Sequence, residues 1–410
     1  MPDAILAAID SYRDWAVELQ RGLTAVPALS PDSGGEGELA KTEWLQAELE
    51  KLPFDSIERF DAPDARAAGG VRPNLVARLR GTSSARTVWI MSHLDIVPPG
   101  DLSRWQSDPY TLRVEDGKLF GRGVEDNQQA VVSSLLVARA FMDTGTRPPV
   151  DLALLFCADE ETGSQYGAHY LAEHHPMLFG PSDMFLVPDA GLPDGSLVEV
   201  AEKSIWWLRI RTTGKQCHGS TPELGINAFR AASDLVTRLG SLYATFGAVD
   251  QVFAPPISTF EPTKKEANVP NVNTIPGDDV FYVDCRVLPC YPLTEVEAEI
   301  RRLAVEVEQA WGVTVAIEDV QRAQAAPPTS LESDVVKLLL AAIRQVHGIT
   351  PEPRGIGGGT VAAVFRQLGL PAIVYSRIEE TAHQPNESCL LENLVSDAKV
   401  FAVTVLGAGA

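Results

Sequence analysis

The sequence predicts an α/β protein, a largely parallel sheet with helices on both faces, interrupted by a smaller α+β domain. Three observations carry this. Short apolar runs bounded by turn residues, TVWIM (87–91), VDLALLFC (150–157), MFLVP (184–188) and PAIVY (371–375), read as buried parallel strands. They alternate with longer stretches of helical period, the signature of helices laid on both faces of such a sheet. From about residue 204 to 320 the pattern changes to strand, helix, strand, strand, helix, strand, the order of a split βαβ unit.

Taken in order, helical spacing is found near residues 3–22, 36–51, 127–143, 165–174, 332–346 and 360–368. Inside the changed region, IWWLRIRTTG alternates as a half-buried strand, and a helix follows near 225–246. A Pro-rich segment at 254–263 suits only a sheet edge, because proline cannot donate to a central ladder. VFYVDCRVLP, a helix near 294–310 and VTVAIEDV complete the set. PAIVY, after it, reads again as a buried parallel strand, so the smaller domain (204–320) is expected to be inserted into a discontinuous larger one (1–203 and 321–410).

Composition excludes several classes of function. Of 410 residues, 45% are hydrophobic and 22% charged, enough to bury a sizeable core without disulfides or a structural metal. With 34 basic and 55 acidic residues the formal charge is −21, which repels phosphate backbones and anionic lipid, so neither nucleic acid nor membrane is expected as a partner. The five cysteines are odd in number and lack CxxC spacing, as in a reducing compartment. Asp3 and Asp10 stand where a signal peptide would be basic and then apolar. No run approaches the about 18 apolar residues of a membrane span, and the chain is expected in the cytoplasm.

The chemistry lies where strands end. TVWIM runs into SHLD, giving His93 and Asp95; VDLALLFC runs into ADEETGS, giving Glu160 and Glu161; MFLVP runs into DAG, giving Asp189. The ligand crevice of an open α/β sheet lies outside the carboxyl ends of its strands, so these side chains should share one edge. GRGVEDNQQ adds Asp126 just before a helix, and ETAHQPNES adds His383 after the last strand. Singly, Asp126 reads most simply as a helix-capping or first-turn acid, and Asp95 or Asp189 more readily as a turn residue than as a ligand. Jointly, two imidazoles and several carboxylates without thiolate form a nitrogen and oxygen donor set suited to zinc, cobalt or manganese. The set is too large for one catalytic zinc and fits two ions with a shared carboxylate. Asp95 can accept from the His93 ring nitrogen that faces away from the metal. Of Glu160 and Glu161, one can bind metal while the other takes a proton from the attacking water.

These motifs together, SHLDIVPPG, LFGRGVEDNQ, CADEETGS, VPDAG, HGSTPELGINA and AHQPNES, resemble the co-catalytic zinc metallopeptidase family. That family contains aminoacylase, acetylornithine deacetylase, succinyl-diaminopimelate desuccinylase, carnosine-type dipeptidases and bacterial glutamate carboxypeptidase. The resemblance runs from about residue 10 to the C-terminus, with the motifs in the family's order. It implies a zinc-exopeptidase-like sheet with an inserted ferredoxin-like lid and dimerisation domain, hence a homodimer. It implies two divalent ions per subunit, zinc first and cobalt or manganese as alternatives, bridged by Asp126. His93 and Asp189 would hold one, Glu161 and His383 the other. Glu160 would be the general base, Asp95 the partner of His93, and His218 a histidine that reaches the partner subunit's site. Asn273, Arg286 and Thr360 match substrate contacts, the arginine fork suiting a carboxylate. A cis peptide between Asp126 and Asn127 is implied as well. After Thr360 several relatives have aspartate where this chain has Val361, which weighs against a strict desuccinylase. The implied activity is hydrolysis of an amide bond in a small carboxylate-bearing substrate, of the N-acyl amino acid deacylase type. Dipeptidase or carboxypeptidase action is the alternative within the family, and a non-catalytic metal-binding protein is the alternative outside it.

Overall fold

The computed structural model describes residues 2–409. The main sheet has eight strands. Its four central strands, in the spatial order Asp151–Cys157, Thr87–His93, Met184–Gly191 and Ala372–Ser376, are mutually parallel. These are the four apolar runs read from the sequence. On one side Val71–Leu79 and then Ser56–Pro63 pair antiparallel; on the other Leu197–Glu202 pairs antiparallel with Ala372–Ser376, and Glu352–Ile356 is the outermost strand. The parallel core is therefore only the middle of a mixed sheet.

Strand alternation decides how the helices attach. Trp89, Met91, Leu155, Phe185 and Val187 pack on one face with Ala168 and Leu171 of helix Ala168–His174 and with Phe365 of helix Ala362–Gln367. Fully burying side chains of this kind stabilises by about 1.5–3 kcal/mol each. Helices Gln128–Asp143 and Asp334–His347 also touch the sheet, and Leu391–Gly407 lies against both. The first is buried on nearly every face, so its polar residues have inward partners: Gln129 Nε2 donates to Asp397 Oδ2 at 2.9 Å and to the Arg377 carbonyl at 2.7 Å.

Two compact units emerge. One comprises the chain up to Val200, Thr329–Arg354 and everything from Thr360 on; the other comprises Ala201–Pro328 with Gly355–Gly359. The second thus extends eight residues beyond the expected 320 and takes in glycines that the sequence reading leaves with the larger part. Gly355 belongs there because it pairs with Phe253 and donates to the Val252 carbonyl at 2.7 Å.

The second unit is a four-stranded antiparallel sheet in the order Thr259–Lys265, Asp278–Val287, Ser204–Thr213, Thr314–Ala323. Helices Ala228–Leu239 and Leu293–Trp311 pack on it, giving the ferredoxin-like arrangement. Strand Ser204–Thr213 shows why one face is chosen: Trp206, Leu208 and Ile210 are buried while Trp207, Arg209 and Arg211 face the other way. The Pro-rich stretch supplies the edge strand, displaced to Thr259–Lys265, with a bulge between Pro262 and Lys264. No helix among the described residues is long and apolar enough to cross a membrane.

Candidate metal centre

The carboxyl ends of the parallel strands build the site. Strand Thr87–His93 is buried along its whole length and delivers His93 at its last position. One strand over, Cys157 ends Asp151–Cys157 and the chain turns through Asp159, whose left-handed φ of +66° an aspartate tolerates better than most residues. That turn presents Glu160 and Glu161, and their backbone N–H groups both donate to Asp95, at 3.0 Å to Oδ1 and 3.0 Å to Oδ2. Asp189 lies near the end of Met184–Gly191. Asp126 immediately precedes Asn127, the residue that caps helix Gln128–Asp143, and the Asp126–Asn127 bond is cis. Gly123 in the GRGVED turn has φ +87°, and a Cβ there would meet Ile96 Cγ2 at 2.6 Å. Only glycine suits it.

Asp126 stands between two imidazoles. Its Oδ1 is 2.9 Å from His93 Nε2 and its Oδ2 is 3.1 Å from His383 Nε2. Asp189 Oδ1 lies 3.4 Å from the same His93 nitrogen, and Glu161 Oε2 lies 3.1 Å from that of His383. Two donor groups result, His93–Asp126–Asp189 and Asp126–Glu161–His383, each with one atom per residue inside 4.8 Å. The far ring nitrogen of His93, Nδ1, sits 3.3 Å from Asp95 Oδ1 and 3.1 Å from the Asp95 carbonyl, which turns Nε2 toward the cluster. His383 has φ +63°, an unusual conformation for histidine.

The charges show what the cluster lacks. Burial disfavours a proton on His93, yet Asp126, Asp189 and Asp95 together push the imidazole well above its ordinary value. Asp126 and Glu161 push His383 up to about 10. Burial raises Glu160 well above the carboxylate range, with Asp189 adding to it, and burial also raises Glu161. The raised imidazoles thus favour protons that offset the excess of acid among Asp95, Asp126, Glu160, Glu161 and Asp189. Divalent cations fit this donor set: they would replace those protons and take one imidazole and two carboxylates each, Asp126 shared. Cys157, next to His93 in the sheet, is no competitor, since burial pushes its thiol far up and keeps it protonated.

A family model described as peptidase family M20/M25/M40 matches residues 89–407, a span that contains every one of these side chains. The chain belongs to this family. A metallohydrolase of Methanococcus maripaludis, itself uncharacterised, is 37% identical over 95% of this chain and 98% of its own length. The succinyl-diaminopimelate desuccinylase of Rhodospirillum centenum is 26% identical over 94% of this chain and 95% of its own. In fold, the aminopeptidase PepT of Bacillus cereus matches with a TM-score of 0.75 and 19% identity, covering 97% of this chain and 99% of that one. This M20 protein is a metal-dependent hydrolase of peptide or amide bonds, which removes the non-catalytic alternative.

Three of the other expected site residues, His218, Asn273 and Arg286, belong to the second unit, and Thr360 begins the last stretch of the first. His218 is exposed in the short pairing Cys217–His218 with Thr274–Ile275, and its Nδ1 accepts from Ser220 N at 3.2 Å. Asn273 is exposed, and its carbonyl accepts from Gly219 N at 2.7 Å. Arg286 is engaged within its own unit: Nε and Nη2 reach Asp284 at 2.7 and 3.1 Å, and Nη1 donates to the Gly357 carbonyl at 2.7 Å. Thr360 is half-buried ahead of helix Ala362–Gln367, which starts two residues later than expected. Val361 is buried with Phe365 and Leu370, so an aspartate there would be placed in an apolar cluster.

Sequence reasoning missed Asn127, Glu125 and Glu387. Asn127 ties two strand ends together, its Oδ1 accepting from His93 N at 3.2 Å and its Nδ2 donating to Asp189 Oδ1 at 3.0 Å. The only available signal was position, beside Asp126 and within four residues of His383.

Proposed function

We propose that this M20 hydrolase is a two-metal amidohydrolase of the N-acyl amino acid deacylase type, acting on small amides that carry a free carboxylate. The observation that supports the two-metal reading most directly is Asp126, whose two carboxylate oxygens face different imidazoles at 2.9 and 3.1 Å. In this reading His93 and Asp189 would hold one divalent cation and Glu161 and His383 the other, with Asp126 available to both. Zinc is the first expectation for the oxygen and nitrogen donors, with cobalt or manganese as substitutes. Ions held there would supply Lewis acidity toward the scissile carbonyl and the attacking water.

The remaining steps belong to the protein. Glu160, half-buried in the turn that Asp95 holds, takes the proton of the attacking water and returns it to the leaving amine. Asp95 keeps the Glu160–Glu161 turn and His93 in place through three contacts. His218, in the second unit, donates to the developing oxyanion of the partner subunit's site in a homodimer. Asn273, Arg286 and Thr360 orient the substrate carboxylate. The acyl-amino-acid reading is supported by the desuccinylase among the relatives, and five free cysteines support a reducing, cytoplasmic setting.

The test is Glu160→Gln in metal-loaded protein, with N-acetyl, N-succinyl and dipeptide substrates compared on the unaltered enzyme. Turnover should fall by about 10²–10⁴-fold or more while two ions per chain remain bound. Near-normal turnover in the variant would sink the role of Glu160, and faster cleavage of dipeptides than of acyl amino acids would replace deacylase by dipeptidase.

A further inference from the structure

Two irregular segments, Gly121–Asp126 and Glu379–Glu387, carry Asp126 and His383, and neither is held by helix or central-sheet bonding. Each instead buries a glutamate against the backbone of the other. Glu387 Oε2 accepts from Arg122 Nη1 at 2.6 Å and from Gly123 N at 3.0 Å. Its Oε1 accepts from Glu125 N at 3.0 Å and from Asp126 N at 3.1 Å. In the opposite direction Glu125 Oε2 accepts from Glu379 N at 2.7 Å, and its Oε1 accepts from Thr381 N at 2.7 Å and from Ala382 N at 3.3 Å.

From this reciprocity we infer that Glu125 and Glu387 are positioning residues, a clamp in which each loop fixes the other and so sets Asp126 against His383. The inference rests on the proposed reading of Asp126 and His383 as metal ligands. Hydrogen bonds from main-chain N–H to a carboxylate are roughly twice as strong as neutral ones, and here they end on Asp126 itself and on Ala382, the neighbour of His383. Both glutamates are nearly inaccessible to water, so their bonds do not compete with solvent. The restraint is needed because Glu380, His383 and Asn386 all have positive φ, which a loop of non-glycine residues leaves once its hydrogen bonds are lost. Backbone amides therefore hold the distance between two side chains that are far apart in sequence.

Loosening the clamp should act on the Asp126–Glu161–His383 group first, because His93 and Asp189 are carried by strands. The test is calorimetric titration of metal-free wild type, Glu125→Gln and Glu387→Gln with Co²⁺ and with Zn²⁺, alongside the visible spectrum of the Co²⁺ form, kcat and KM. Each exchange keeps the shape but turns an amide N–H toward backbone N–H groups. Both variants should keep the wild-type circular dichroism, bind one ion about 10–100-fold more weakly than wild type, shift the Co²⁺ bands and lose kcat more than KM. Glu379→Gln, which removes a charge of the same loop paired with Lys118 at 2.6 Å, should leave all of these readouts in place. Wild-type affinities and spectra in both variants would overturn the clamp alone. Failure of both variants to fold would also overturn it, showing that the pair serves the fold and not the site. A wild-type protein that takes up no ion would overturn the metal-centre reading itself.

Discussion

His347 shows how one side chain can set an acid limit on the whole fold. It ends helix Asp334–His347 with Nε2 buried and without a hydrogen-bond partner, and burial, with Arg377 and Lys399 adding to it, pushes its imidazole down to about 4. The unfolded chain binds a proton there near pH 6.5 and the folded chain does not, so this site's contribution is intact above pH 6.5 and is lost as pH falls toward 4. His347→Gln should flatten that part of the stability curve, read as a smaller drop in urea midpoint between pH 7 and pH 5 than in wild type. An unchanged drop would show that the imidazole is already protonated in the fold. At this same scale the cluster was readable from sequence where a residue type announced its chemistry: His93, Asp126, Glu160, Glu161, Asp189 and His383 all close apolar runs or turns. Glu125, Asn127 and Glu387 were not readable, because accepting from backbone N–H leaves no spacing pattern along the chain.

Elements were legible where periodicity was unbroken. The expected helix at 3–22 is two, Pro2–Ser11 and Arg13–Ala25, split at Tyr12, and the one at 225–246 is interrupted at Gly240 before a short turn of helix, Leu242–Thr245. Strand Val71–Leu79 escaped notice because Arg72 and Asn74 interrupt its apolar run although both are fully buried. Their partners lie far off in sequence: Arg72 Nε donates to Glu38 Oε2 at 2.5 Å and Asn74 Nδ2 to the Tyr166 carbonyl at 2.8 Å. Tertiary partners, which no local window contains, paid for those polar groups. Helix Ala228–Leu239 starts at Asn227, whose side chain accepts from Arg230 N at 3.1 Å. Asn227→Ala should cost about 0.5–2 kcal/mol in a urea titration, and Asn227→Ser should recover most of it. Equal stability of all three would mean that water caps this helix as well.

At the scale of the whole molecule, the proposed catalysis draws on residues of both compact units. His218 belongs to one compact unit while the seven residues of the cluster belong to the other. In the proposed homodimer, mixing a His218→Ala protein with an inactive Glu160→Gln protein should restore part of the turnover, since mixed dimers pair one intact cluster with one intact histidine. Absence of recovery after verified subunit exchange would place the histidine's action within its own chain or remove it. The charge of −21 also takes on a local meaning, because Asp126, Glu161 and Asp189 converge around two imidazoles, with Asp95 behind His93.

Strand order adds a consequence in time. His93, Asp126 and Asp189 all precede the inserted unit, whereas His383 follows the parallel strand Ala372–Ser376, which is made last and takes its place beside Met184–Gly191. During synthesis, one half of the proposed centre is complete in composition while the ribosome is still making the insert. Without His383 the group Asp126–Glu161–His383 loses its imidazole, while His93–Asp126–Asp189 keeps all three of its donors.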